Sequence, residues 1–124
     1  MGLQQAAPVL LVEDVITTAE HYRDALGFTF DRFWGDPPQM ALMDRDSVRI
    51  ALMQAPAAVL PKVPTGFADV FVYVGSVDAT AEDMRARGAK IVAEPAEATV
   101  FDGRTFAIMD CNRRVISFVE MRGP

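Results

Sequence analysis

The chain has 124 residues, 51% of them apolar, which is enough for one domain with a real core. A net charge of −5 argues against a nucleic-acid groove or an anionic membrane surface, both of which need clustered Lys and Arg. Cys111 is the only cysteine, so no intrachain disulfide forms, as expected of a protein in the reducing cytoplasm.

Met1 to Ala7 has neither a basic start nor a long apolar run, and reads as a loose lead-in rather than a signal peptide. No apolar run nears the ~20 residues of a membrane span. Pro8 to Val12 reads as a buried strand. Val15, Ala19, Tyr22 and Leu26 then form one apolar stripe at helical spacing. Thr17 with Glu20 is a possible capping box for this helix, and Asp14 is the rival cap. Gly27 is its expected stop. Phe28 to Phe33 reads as a second strand, followed by a rigid turn at Trp34-Gly35-Asp36-Pro37-Pro38. Residues 40–54 read as a hairpin, and the Pro-containing stretch 55–68 as a linker.

The pattern then restarts. Val70, Val72 and Val74 alternate with Asp69, Phe71 and Tyr73 along a strand. Asp78 is the expected cap of a second helix, whose Val77, Ala81 and Met84 each lie 62 positions after an apolar counterpart. Gly88 closes it, Lys90 to Glu94 is a strand, Pro95 to Gly103 a loop, and residues 104–120 a second hairpin. The hairpins repeat each other at a spacing of 66, so that Ala41, Met43, Asp44 and Ile50 recur as Ala107, Met109, Asp110 and Ile116. The expected fold is α+β: two tandem βαβββ modules, 8–54 and 69–120, within one domain spanning 1–124. Each module covers one sheet face with its helix and leaves the other bare. The expectation is therefore a curved mixed sheet with a concave cleft and helices outside.

Two such modules, with Tyr22-Arg23-Asp24-Ala25-Leu26-Gly27-Phe28 on the first helix, resemble the vicinal oxygen chelate superfamily. That group includes glyoxalase I, bleomycin and fosfomycin resistance proteins and extradiol dioxygenases. The resemblance covers nearly the whole chain. It implies four metal-ligand positions, commonly His, Gln or Glu, which fall here on Ala7, Ala51, Asp69 and Ser117. Methyl groups and a serine hydroxyl do not chelate a divalent ion beside a single carboxylate. No metal and no cofactor are therefore expected. The implied likeness is to the metal-free bleomycin-resistance branch, whose members sequester a ligand in a dimer cleft.

Strand parity divides the side chains. Pro8, Leu10, Val12, Val48, Ile50, Leu52, Val70, Val72, Val74, Ile116 and Phe118 are assigned to the helix side. Val9, Leu11, Arg49, Ala51, Met53, Asp69, Phe71, Tyr73, Val115, Ser117 and Val119 fall on the opposite face, which has the composition of a ligand pocket. Arg49 suits an anionic or carbonyl group and Asp69 a cationic one, unless the two pair with each other. Phe71 and Tyr73 suit a planar ligand, or plain packing. Trp34 on its rigid turn suits a ligand or a dimer contact, and Arg104 in the second module is a candidate lid over the pocket. Met53 and Ser117 complete the ligand-binding set. His21 on the first helix and Cys111 in a turn carry no assigned chemistry, and no residue is assigned a catalytic role.

The favoured reading is a metal-independent binding protein, a homodimer in the cytoplasm, sequestering an aromatic or amphipathic molecule such as an antibiotic or toxic metabolite. The alternative is an enzyme of the same superfamily, a lyase, isomerase or dioxygenase. It would use unrecognised metal ligands, or Asp69, Tyr73 and Arg49 as acid–base groups.

Overall fold

The computed structural model describes residues 2–60 and 68–122. Half of the expected linker, 61–67, lies outside the described residues. The chain divides between Leu60 and Pro61 into two compact units. The first contains β1 (Val9–Val12), α1 (Val15–Leu26), β2 (Phe33–Trp34), β3 (Met40–Arg45) and β4 (Val48–Gln54). The second contains β5 (Val70–Tyr73), α2 (Val77–Ala86), β6 (Lys90–Glu97), β7 (Gly103–Met109) and β8 (Val115–Met121). Each unit has one four-stranded mixed sheet, ordered β1-β4-β3-β2 in the first and β5-β8-β7-β6 in the second. No helix among the described residues is long and apolar enough to cross a membrane.

The apolar stripes do what their spacing implies. Val15, Ala19, Tyr22 and Leu26 are fully buried, as are Val12, Ala41, Met43, Ile50 and Leu52 of the first sheet. In the second unit Val77, Ala81 and Met84 are buried together with Val72, Phe106, Ile108, Ile116 and Phe118. Phe106 and Phe118 are cross-strand partners, and their rings stack at 4.7 Å. Pro8, assigned to the helix side, precedes β1 and is exposed.

The helix ends correct two expectations. Asp14 caps α1, its Oδ1 accepting from the N–H groups of Ile16 (3.0 Å) and Thr17 (3.1 Å), so the Thr17–Glu20 box is not the cap. Ser76, not Asp78, caps α2. Its backbone is extended, as an N-cap requires, and its Oγ accepts from the N–H of Ala79 at 3.1 Å. Asp78 falls instead in the first turn. Gly27 ends α1 in the left-handed conformation, at φ 75°.

In both units the last strand holds the helix N-terminus. Gln54 Oε1 accepts from the N–H of Val15 at 3.0 Å, and Glu120 Oε1 from the N–H of Val77 at 2.8 Å.

The strands bring three further corrections. Residues 28–33 do not form a strand. Thr29 makes a single bridge to Asp44, and pairing resumes only at Phe33–Trp34. Conversely β6 runs on to Glu97 with two register shifts, well past the expected Glu94. The third concerns the repeat. Met43 pairs with Ile50, whereas the residue pairing with Ile116 is Ile108. The second hairpin thus has one extra residue in its turn, and the first strands of the two hairpins correspond at a spacing one less than the sequence match. Ala41 and Met43 have Phe106 and Ile108 as buried structural counterparts, while Ala107 and Met109 face the other way. Asp110 belongs to the turn, where its Oδ1 accepts from the N–H of Asn112 and of Arg114.

Gly103 is buried at the start of β7, and a Cβ there would lie 2.3 Å from the backbone carbonyl oxygen of Glu120. Gly103→Ala is expected to push β8 away at the residue that holds α2. The expected loss of stability is about 1–3 kcal/mol, seen as a lower urea midpoint; an unchanged midpoint would show that the strands yield there freely.

Candidate functional site

With one face of each sheet covered by its helix, the other face carries the residues of opposite parity. In the first unit these form rows across the strands. Leu11 pairs with Met53, Met53 with Met40, and Met40 with Trp34. A second row joins Val9, Ala51 and Leu42. A third joins Arg49, Asp44 and Thr29.

The short β2 creates a pocket. Where pairing lapses between Thr29 and Phe33, this segment lines an open pocket of about 550 Å³. Leu42, Asp44 and Arg49 contribute from β3 and β4, and Trp34 from β2. Thr29, Phe30, Asp31 and Arg32 supply the rest of the lining. Trp34 is held by the turn that follows it, whose Gln39 N–H donates to the Trp34 carbonyl at 2.8 Å. The Asp36–Pro37 peptide in this turn is cis, and Gly35 has φ 93°. A Cβ on Gly35 would stand 3.1 Å from the carbonyl oxygen of Pro37. The indole is 39% exposed, and the Arg32 guanidinium carbon lies 3.7 Å from its ring centroid.

Arg49 pairs within its own unit. Its Nε and Nη2 donate to Asp44 Oδ1 and Oδ2 at 2.7 and 3.0 Å, a two-point pair between directly opposed residues. These bonds, the Asp44 charge and the more distant charge of Asp31 raise the Arg49 pKa above its ordinary value, so it stays a cation. The pocket therefore combines two aromatic rings, Phe30 and Trp34, with Leu42, the Asp44–Arg49 pair, Asp31 and Arg32.

In the second unit Phe71 and Ser117 are register partners, and Tyr73 pairs with Val119 two residues on. Phe71 and Tyr73 are 59% and 67% exposed, so neither is core packing within the chain. Val119, on the same face, is buried. Asp69 accepts from the N–H of Val115 at 2.8 Å and lies 3.8 Å from Arg114. Its carboxylate ties strand to strand. Arg104 is on the other face. It alternates with Thr105, sharing the side of Phe106 and Ile108, and its Nη2 donates to Asp78 of α2 at 2.8 Å. It cannot close over Phe71, Tyr73 and Ser117 from there.

Of the residues named from sequence, the fold brings Trp34 and Arg49 into one pocket, with Met53 on the same row as Trp34. Sequence reading missed Phe30, Asp31, Arg32 and Asp44. Asp44 was within reach, since a two-residue hairpin turn at Asp46-Ser47 puts it opposite Arg49. Asp31-Arg32 interrupting an apolar run was the available sign that 28–33 is not a simple strand.

The superfamily's metal positions do not fit a divalent ion. Ala51 and Ser117 lie in register with Val9 and Phe71, which offer only carbon, and Ala7 precedes β1. Asp69 is engaged as described. Among the described residues no three His, Cys, Asp or Glu side chains are grouped to hold a metal.

A family model described as the Glyoxalase/Bleomycin resistance protein/Dioxygenase superfamily matches residues 3–122. The chain belongs to this superfamily. A glyoxalase/bleomycin resistance protein/dioxygenase from Alicyclobacillus acidocaldarius superposes with a TM-score of 0.80 at 12% identity, over 97% of this chain and 92% of that one. A protein of the same description from Nocardioides gives 0.69 at 22% identity, over 100% and 89%. TioX from Micromonospora sp. ML1 gives 0.70 at 16% identity, over 98% of each. These likenesses establish the fold. No curated protein matches the sequence significantly.

The Arg104 side of the second sheet makes a test of its own for this superfamily member. Arg122 Nη2 donates to Glu97 at 2.5 Å, and Arg104 lies 3.6 Å from the same carboxylate. The bond from Arg122 lowers the Glu97 pKa below its ordinary 4.5, with the nearby Arg104 charge acting in the same direction. The stabilisation from this carboxylate is therefore present above pH 4.5 and is lost as the pH falls through the lowered value. Glu97→Gln is expected to lower the urea midpoint at pH 7 and to converge with the parent in acid; a constant gap would assign the effect to something other than the charge.

Proposed function

We propose that the protein binds a small planar or amphipathic molecule without a metal, using the pocket of its first unit. The observation that carries this reading is the pocket of about 550 Å³ that brings Phe30, Trp34 and Leu42 together with the Asp44–Arg49 pair. Its size is that of a drug-like ligand site, and its lining sets three apolar side chains, Phe30, Trp34 and Leu42, beside charged groups that can fix a ligand's orientation. The indole offers a stacking plane. The Asp44–Arg49 pair is already held in one geometry by its two hydrogen bonds, so little ordering is needed on binding.

In this reading Met53 extends the apolar floor from Trp34. Phe71, Tyr73 and Ser117, on the face of the second sheet away from α2, serve a partner copy. The exposure of both aromatic rings in the single chain supports a homodimer, because apolar faces of this kind are seldom left in water.

Titration calorimetry with a library of planar aromatic compounds tests the proposal. Binders should be found whose affinity falls about tenfold or more in Trp34→Ala and is unchanged by EDTA. Stoichiometric Zn, Mn, Fe or Ni in protein purified without chelator, or binders indifferent to Trp34, would refute it.

A further inference from the structure

We infer that this pocket selects a planar monocation, and that Arg32 stands in the cation's place until such a ligand arrives. The inference rests on the pocket being a ligand site, as proposed above. The guanidinium of Arg32 is flat, carries one positive charge and lies 3.7 Å from the centroid of Trp34. The face of an indole is its negative side, so the pairing is electrostatic as well as steric. The side chain is doing to Trp34 what a small amidinium or protonated heteroaromatic ring would do.

The walls decide which sign of ligand can replace it. Arg49 is not a free positive charge, because Asp44 takes both of its forked N–H groups. Asp31 lies on the same lining and acts on Arg49 from farther away. With Arg32 over the ring, two carboxylates face two guanidinium groups. With Arg32 turned into water, Asp31, Asp44 and Arg49 leave one negative charge. A monocation restores the balance, a neutral ligand leaves it unmet, and an anion doubles it. The chain's net charge of −5 adds a longer-range attraction of the same sign. Arg32 itself is exposed and joined to the ring by a single contact, so a ligand can displace it.

Trp34 is the only tryptophan, so its indole N–H gives one signal in a proton–nitrogen NMR spectrum. Titrations with benzamidinium, benzamide and benzoate, alike in shape and different in charge, read that signal directly. Benzamidinium should bind tightest and benzoate weakest. Arg32→Ala should tighten benzamidinium about two- to fivefold by removing the internal competitor. Asp31→Asn should weaken it by up to about fivefold and leave benzamide unaffected. Equal binding of the three probes, or weaker benzamidinium binding in Arg32→Ala, would overturn the cation preference while leaving the pocket a binding site. No response of the Trp34 signal to any probe would overturn the site itself, and this inference with it.

Discussion

The fold depends on one side chain in each unit reaching from the last strand to the first turn of the helix. Gln54 accepts from Val15 and Glu120 from Val77. The first N–H groups of a helix have no partner within it, so an acceptor supplied by the sheet both satisfies a donor and fixes where the helix starts. Such a bond is worth about 0.5–1.5 kcal/mol with a neutral acceptor and more with a charged one. Its larger effect is geometric. It lies at the junction of β1 with α1 and of β5 with α2, and so commits the helix to one sheet face. The helix leaves the opposite face to the residues of the other parity, and every candidate ligand-binding residue except Arg104 stands there.

The βαβββ order was legible because its signals are local and redundant. Four apolar residues at helical spacing, followed by Gly27, leave little choice about α1. Strict alternation in β5 settles its faces. Caps were harder, since Asp14 competes with Thr17 three residues on and Ser76 with Asp78 two residues on, and only backbone conformation decides between them. The edge strands were hardest. A central strand is fixed from both sides, whereas β2 and β6 are paired on one side only, so the apolar run of 28–33 could lapse into a loop and the polar stretch after Glu94 could pair. Pro95 does not prevent this on an edge.

The site was legible to the same degree and for the same reasons. Arg49 and Trp34 were reachable because a hairpin and a rigid turn can be read from sequence. Arg104 was misplaced because its face depends on the register of β7, which depends on how many residues the following turn contains. Asp69 looked like an available carboxylate; the backbone N–H of Val115 claims it. A hydrogen bond to main chain leaves little mark in a single sequence. The resemblance to the superfamily supplied the architecture, and the donor chemistry of Ala7, Ala51 and Ser117 is the reason a metal-free reading is favoured.

The extra residue in the turn after β7 reaches further than its own loop. It places Met109 opposite Val115 at the point where the first unit places Asp44 opposite Arg49. The internal two-fold likeness of the chain is therefore one of backbone and not of chemistry. A guest that reads the ion pair meets one copy of it per polypeptide, so a molecule built from two similar halves has the stoichiometry of a protein with no repeat.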